Sequence, residues 1–395
     1  MRPASEAERA RLNDTFARLC RIRSPFGAEK ASADAVRAEL EALRVPLFED
    51  DAGPEAGAEC GNLLARIPGR DPDRWVLLCA HLDTVEAVVE IDPVVVDGGW
   101  ENANEGILGA DNKAAVAVLI ELARRATIEG APVGLELLFT VSEENALAGA
   151  KAFDVSALRS RFGYVFDHAT AIGEVIVASP TYFRIGAEFL GAAAHAGIRP
   201  EAGRSAILAA THAIERMPHG RLDPETTTNV AHVRAGIANA TNVVPAHCSV
   251  LAEVRSLDPE KAESAVAAIV DALHDGAAHA ECDVDVIVEK LFTGYRLRPS
   301  EPAVLAAEAA LTECGYVPAR IATGGGADAN AFVAAGLPCV NLANGTERNH
   351  QPDERVAVAA LEGMLDVTFA LLDAVADIER SEGEAFSGDE RSEAE

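Results

Sequence analysis

The sequence predicts an α/β protein: a mostly parallel sheet covered by helices, with a smaller ferredoxin-like α+β domain inserted into it. Three observations lead there. Apolar runs of strand type alternate with helical periodicity at both ends of the chain. Between them the pattern changes to β-α-β-β-α-β with one wet face per strand. Polar and titratable residues gather where the apolar runs of the first part stop, and parallel sheets bind ligands beyond the carboxyl ends of their strands.

The elements follow in chain order. Residues 6–23 carry Leu12, Phe16 and Leu19 on one helical face, and "SPFGAEKASADAVRAELEAL" is a turn followed by a second helix. "RWVLLCAHLDTV" (74–85) is a buried strand running into polar residues, and "GADNKAAVAVLIELARRA" (109–126) is a loop entering a long apolar helix. "VGLELLFTVSEEN" and "FGYVFDH" (162–168) are further strands, with a helix start at "ALAGAKAFD" between them. From about residue 180, "TYFRIGAEFLGAAAHAG" alternates as a strand, "GRSAILAATHAIERM" is a helix, and "VAHVRAG", "TNVVPAHCSVLAEVRSL" and "ECDVDVIVEK" are strands around the helix "PEKAESAVAAIVDALHDG". After about residue 292 α/β elements resume with "PAVLAAEAALTECG", "GADANAFVAAG", "PCVNLAN" and a closing helix over about 356–378. The expected domains are therefore 1–178 and 292–378 for the main sheet and 179–291 for the insertion. The acidic tail 379–395 has almost no apolar residues and is expected to be disordered.

Composition narrows the function. With 395 residues the chain exceeds one core, so two domains are expected. A net charge of −29 makes nucleic acid and anionic membranes poor partners. No apolar run reaches the roughly 20 residues a membrane span requires. The charged N-terminus lacks a signal-peptide apolar core, so the cytoplasm is the expected location. Seven widely spaced cysteines without a CxxC pair read as reduced thiols, not as thiolate zinc ligands.

The strand ends carry His81 and Asp83 ("CAHLDTV"), Glu143 and Glu144 ("SEEN"), and Asp167 and His168 ("FDHAT"); loops add Asp111 and His350. Each is ordinary alone: an HxD can be a polar loop, "EE" a solvated helix start, and "GADN" an N-cap. Together, carboxylates and imidazoles at one sheet edge suit a divalent transition metal such as zinc, cobalt or manganese. Two metals sharing a carboxylate would form a hydrolytic clamp. His81 and Asp83 point the same way in an extended chain, so Asp83 can hold the second ring N–H of His81. One member of the glutamate pair can ligate a metal while the other accepts a proton from water.

Eight strings in order, "AHLDTV", "LGADNKAAVAVLIEL", "FTVSEENALAGAKAFD", "GAAAHAGIRPEAGRSAI", "TTTNV", "TNVVPAHCSVLAEVRS", "TGGGADANAF" and "HQPDE", give a resemblance that spans roughly residues 10 to 375. The chain resembles the zinc-dependent exopeptidases that include tripeptidase T, glutamate carboxypeptidase and succinyl-diaminopimelate desuccinylase, and looks closest to the peptidase T-like branch. The resemblance implies that the main sheet is a dimetal catalytic domain and the insertion a lid or dimerisation domain. It implies that His81 and Asp167 bind one metal, Glu144 and His350 the other, and that Asp111 bridges both. His168 is the runner-up to Asp167. Glu143 is implied as general base, Asp83 as support for His81, and His195 as the group that stabilises the oxyanion, often reaching a neighbouring subunit's site. Asn242 and Arg255 resemble groups that hold a substrate carboxylate or backbone, and Gly325, Asp328 and Asn330 resemble a loop that lines the site; turn-holding and helix-capping are the plain alternatives for Asn242 and Asp328. Ala146, "AHVRAG", Gln351 and "GGWENANEG" depart from the family pattern and bear on substrate choice.

The implied activity is a two-metal peptide hydrolase, zinc-dependent with cobalt or manganese as options, removing the N-terminal residue of short peptides as a homodimer through the inserted domain. An N-acyl-amino-acid amidohydrolase or carboxypeptidase is the alternative on the same chemistry, and a non-catalytic binding protein a remote one.

Overall fold

A computed structural model describes the backbone of residues 2–392 and the side chains of residues 2–378. The chain divides into two compact units. The first comprises Met1–Val177, Leu297–Ala322 and Ala327–Glu395; the second comprises Ala178–Arg296 with the short loop Thr323–Gly326. The expectation of a disordered acidic tail, 379–395, falls on residues whose side chains lie outside those described.

The first unit is built on a large mixed sheet whose four central strands run in the order Ala131–Thr140, Gly69–His81, Gly163–His168 and Cys339–Ala343, all parallel. These strands read as continuous apolar runs because both faces are covered: Val76 through Ala80 and Leu135, Leu137, Leu138 and Phe139 are fully buried. The flanking strands Leu63–Ile67 and Glu174–Ser179 pair antiparallel, so the sheet is parallel at its centre and mixed towards its edges. The helix Ala110–Glu129 is buried nearly all round, as its apolar circumference requires, and shares one core with Glu6–Cys20 and the closing helix Val358–Ser392.

The N-terminal helix shows how a local signal becomes a tertiary tie. Ser5 and Glu8 form a capping box, which satisfies two otherwise orphaned amides. The same Glu8 carboxylate receives two hydrogen bonds, at 2.7 and 2.8 Å, from the fully buried guanidinium of Arg125 on the central helix.

A second, four-stranded antiparallel sheet was not legible in the sequence. It orders Thr346–Glu347, Arg355–Ala357, Gly99–Asn102 and Pro93–Val96. The stretch "GGWENANEG" thus begins as a strand. That strand pairs with one arm of the hairpin whose tip carries His350.

The second unit is a five-stranded antiparallel sheet in the order Gly220–Arg221, Thr226–Ala235, His247–Ser256, Thr181–Leu190 and Asp283–Phe292. The helices Ala206–Arg216 and Pro259–His279 pack on it, and their alanines meet Ile185, Phe189, Val250 and Val254 in a separate core. The order of elements is ferredoxin-like.

Candidate metal centre

Parallel register brings the strand ends to one edge. His81 ends its strand opposite Thr140, the last residue of Ala131–Thr140, so both chains turn out of the sheet at the same level. Glu143 and Glu144 follow within four residues of that end, and Asp167 lies near the end of the adjacent Gly163–His168. Asp111 opens the buried helix, where Gly109 takes φ 73° and Asp111 and Asn112 depart from helical angles across a cis peptide. A Cβ is disfavoured at such a φ, which is why glycine stands there.

Two triplets result, His81–Asp111–Asp167 and Asp111–Glu144–His350, each with ligand-type atoms within 4.8 Å of one another. His81 Nε2 lies 3.3 Å from Asp111 Oδ1 and 3.7 Å from Asp167 Oδ1. His350 Nε2 lies 3.3 Å from Asp111 Oδ2 and 2.8 Å from Glu144 Oε1. The two oxygens of Asp111 therefore face different imidazoles. His168 lies outside both triplets, with its Nδ1 2.9 Å from Thr170 Oγ1.

The electrostatics of this set call for a cation. Burial, then the charge of Asp167, pushes the Glu143 carboxyl well above the usual range. Burial and Asp111 push Asp167 up in the same way. Hydrogen bonds to Asp111 and Glu144 raise His350 to about 10, and His81 is raised well above normal because Asp111, Asp167 and Asp83 outweigh its burial. Crowded carboxylates that would otherwise hold protons stay ionised beside a divalent ion. The donor set fits: nitrogen and oxygen ligands about 2.0–2.2 Å from zinc at tetrahedral angles stand about 3.4 Å apart.

Buried groups hold these side chains in place. Asp83 does so at two places. Its backbone oxygen lies 3.0 Å from His81 Nδ1, while its carboxylate is 3.5 Å from that nitrogen. The carboxylate accepts the backbone N–H groups of Glu143 at 3.0 Å and Glu144 at 2.9 Å. Three more holders escaped the sequence reading. Glu29 accepts from the amide and hydroxyl of Ser142; Asn341 both accepts from Asp167 N and donates to Asp167 O. Glu354 accepts three amides before and at Asp111. Of these, only Glu354 had a signal, its place in "HQPDE".

The residues read as lining the site divide. Asp328 and Asn330 are buried in the first unit: Asp328 accepts from Thr140 Oγ1 and, at 3.7 Å, from Cys79 Sγ, while Asn330 Oδ1 accepts from Ala327 N at 3.2 Å as a helix cap. Burial raises Asp328 to about 6. The other four belong to the second unit. There, His195 and Asn242 sit on two exposed stretches paired by Ala196 N to Asn242 O at 2.9 Å and by a bridge from His195 to Val243. Arg255 stacks its guanidinium 4.0 Å over Tyr182 and donates to Gly324 O, next to Gly325.

Comparison with known proteins decides the family. The chain is 34% identical to the crystal structure of the Bacillus cereus aminopeptidase PepT, over 93% of this chain and 99% of that one, with a TM-score of 0.84. A Staphylococcus aureus tripeptidase structure aligns at 30% identity over 93% and 99%, with a TM-score of 0.88. The Bacillus subtilis protein YqjE, itself uncharacterised, is 34% identical over 93% of this chain and 98% of its own.

The chain belongs to the M20 peptidases.

Within them it falls in the peptidase T-like branch, and it is a metallo-exopeptidase. Residues 181–281 of this M20 peptidase match the peptidase dimerisation domain, which is the second unit less its edges. Residues 62–176 match peptidase family M28 and contain His81, Asp111, Glu143, Glu144 and Asp167. No helix among the described residues is long and apolar enough to cross a membrane.

Proposed function

We propose that this M20 peptidase is a two-zinc aminopeptidase that removes the N-terminal residue of short peptides, tripeptides foremost, and works as a homodimer through its inserted domain. The observation that carries the proposal is the pair of triplets sharing Asp111. The kinship with PepT and tripeptidase structures supports the substrate class. His81, Asp111 and Asp167 would hold one ion, and Asp111, Glu144 and His350 the other. Such a pair, when bound, polarises the scissile carbonyl and lowers the pKa of water from 15.7 towards about 7.

The chain's own groups do the rest. Glu143 takes the proton of the attacking water and delivers it to the leaving amine. Its backbone amide is fixed by Asp83, so the carboxylate is aimed without a hydrogen bond of its own to a ligand. His195 steadies the developing oxyanion, Asn242 beside it contacts the substrate backbone, and Gly325, Asp328 and Asn330 shape the loop around the substrate. Arg255 holds that loop through Gly324 as well as serving a substrate carboxylate. Seven free cysteines support a cytoplasmic setting.

One panel tests the reading: tripeptides, dipeptides and N-acetylated amino acids, each with zinc, cobalt or manganese. Tripeptide cleavage dependent on a free α-amine, with about two metals per chain, is expected. Turnover of N-acetylated amino acids alone would replace it with an amidohydrolase, and metal content near zero after reconstitution would end the two-metal mechanism.

A further inference from the structure

The two ligand triplets are held by different means. His81 and Asp167 stand on strands of the central sheet; Asp83 fixes one ring nitrogen of His81, and Asn341 clamps the backbone of Asp167 in both directions. His350 has no such frame. It sits at the tip of a hairpin with its side chain 50% exposed and φ of 66°, a left-handed conformation that is uncommon for a non-glycine residue. Inside that hairpin, Gln351 N donates to Arg348 O, Glu354 N donates to Gln351 O, and Arg348 Nε donates to Asp353 O. These bonds shape the tip but tie it to nothing outside itself.

Besides the His350–Asp111 contact itself, two of the ties between the hairpin and the Asp111 side of the site matter here. One is the strand pairing of Arg355–Ala357 with Gly99–Asn102. The other is Glu354, four residues past His350, whose carboxylate is buried in a row of amides. Oε2 accepts Leu108 N and Gly109 N, both at 2.9 Å, and Oε1 accepts Asp111 N at 3.0 Å. Charge-assisted bonds to backbone amides are about twice as strong as neutral ones, and three of them converge here without solvent to compete.

We propose that Glu354 is a positioning residue that sets the spacing of His350 and Asp111 and so assembles the Asp111–Glu144–His350 triplet. The inference rests on the two-metal reading above and adds to it an asymmetry. Glu354 touches neither His81 nor Asp167 among its hydrogen-bond partners, and His350 belongs to one triplet alone, so loss of Glu354 acts more strongly on that metal than on the other, which shares only Asp111 with it.

The substitution Glu354→Gln tests this in the full-length protein. The amide oxygen can still accept two N–H groups, but its NH₂ then meets a third N–H with no acceptor between them. Zinc and cobalt(II) are titrated into metal-free protein by equilibrium dialysis, with cobalt absorbance reporting each equivalent. The second equivalent should bind about 10–100-fold more weakly, the usual cost of removing a group that orients a ligand, while the first stays within about threefold. Activity at saturating metal should recover, because the ligands themselves are intact. Glu354→Asp keeps the charge and shortens the reach by one methylene, so it should fall between wild type and Glu354→Gln and serves if Gln fails to fold. Unchanged binding of both equivalents would overturn the proposal, as would equal weakening of both in folded protein. Wild-type protein that binds fewer than two ions would instead overturn the two-metal reading itself.

Discussion

Replacing Asp83 with asparagine tests a job that the sequence did not suggest. The carboxylate is fully buried and accepts the amides of Glu143 at 3.0 Å and Glu144 at 2.9 Å. An asparagine oxygen can keep one of these, while its NH₂ faces the other amide as a second donor. The loss is about one charge-assisted hydrogen bond, roughly 1.5–3 kcal/mol, with no water to replace it. At about 2–4 °C per kcal/mol, that is a fall of roughly 3–12 °C in the melting temperature of the catalytic unit. The displaced backbone also carries the proposed base and a proposed ligand, so metal affinity or kcat should drop about 10–100-fold. Calorimetry and metal titration measure the two effects on one preparation. If only the bond to the His81 ring mattered, His81 would keep its partner, because the Asp83 backbone oxygen at 3.0 Å survives the change. Wild-type melting with wild-type metal binding and turnover would therefore refute the reasoning.

The remaining predictions follow from the same geometry. Glu143→Gln should retain metal content and melting temperature yet lose about 10²–10⁴ in kcat, because an amide is no base; an active variant would transfer that role to Glu144. His195→Ala should lower kcat about 10²–10³ with KM and metal content little changed, and full activity would reduce the residue to pairing the two exposed stretches. Glu8→Gln leaves the buried Arg125 charge without a carboxylate and should cost about 3–5 kcal/mol by urea unfolding. The pH dependence has a definite sign. Although burial raises it, Arg125 and Arg2 hold the Glu8 carboxyl well below the usual range, so its stabilisation is full above the unfolded value near pH 4.3 and is lost as pH falls below it. Below about pH 4 wild type should therefore lose stability that the variant no longer has to lose, and parallel pH profiles would contradict this.

How much was legible depended on whether a residue announces itself through its own strand. The central strands were readable because their apolar runs are continuous, and the residues at their ends were readable because a charge directly after such a run has to be explained. That is why His81, Glu144 and Asp167 were legible as strand-end residues; Asp111, which opens a helix, joins them in the two triplets. The small sheet around Gly99–Asn102 gave no such warning: its strands have three or four residues or fewer, too short for a period to register. The inserted domain was readable for the opposite reason, since Thr181–Leu190 alternates buried and open positions residue by residue.

The holders were hidden by chemistry rather than by length. Glu29, Glu354 and Asn341 act on backbone amides and carbonyls, which every residue carries, so nothing in the sequence names their partners. A ligand can be recognised from its type, but the residue that aims it can have any address the fold brings near. Asp83 shows the consequence within a motif. The HxD spacing suggested a carboxylate bound to an imidazole, and the structure spends that carboxylate on the amides that precede two glutamates. Two adjacent carboxylates keep fixed positions there because their backbone is pinned by a third, whose own charge those amides satisfy. Glu144 then reaches His350 while Glu143 stays outside both triplets yet close enough for Asp167 and His81 to act on its carboxyl, and a pair that looks repulsive in one dimension becomes a division of labour in three.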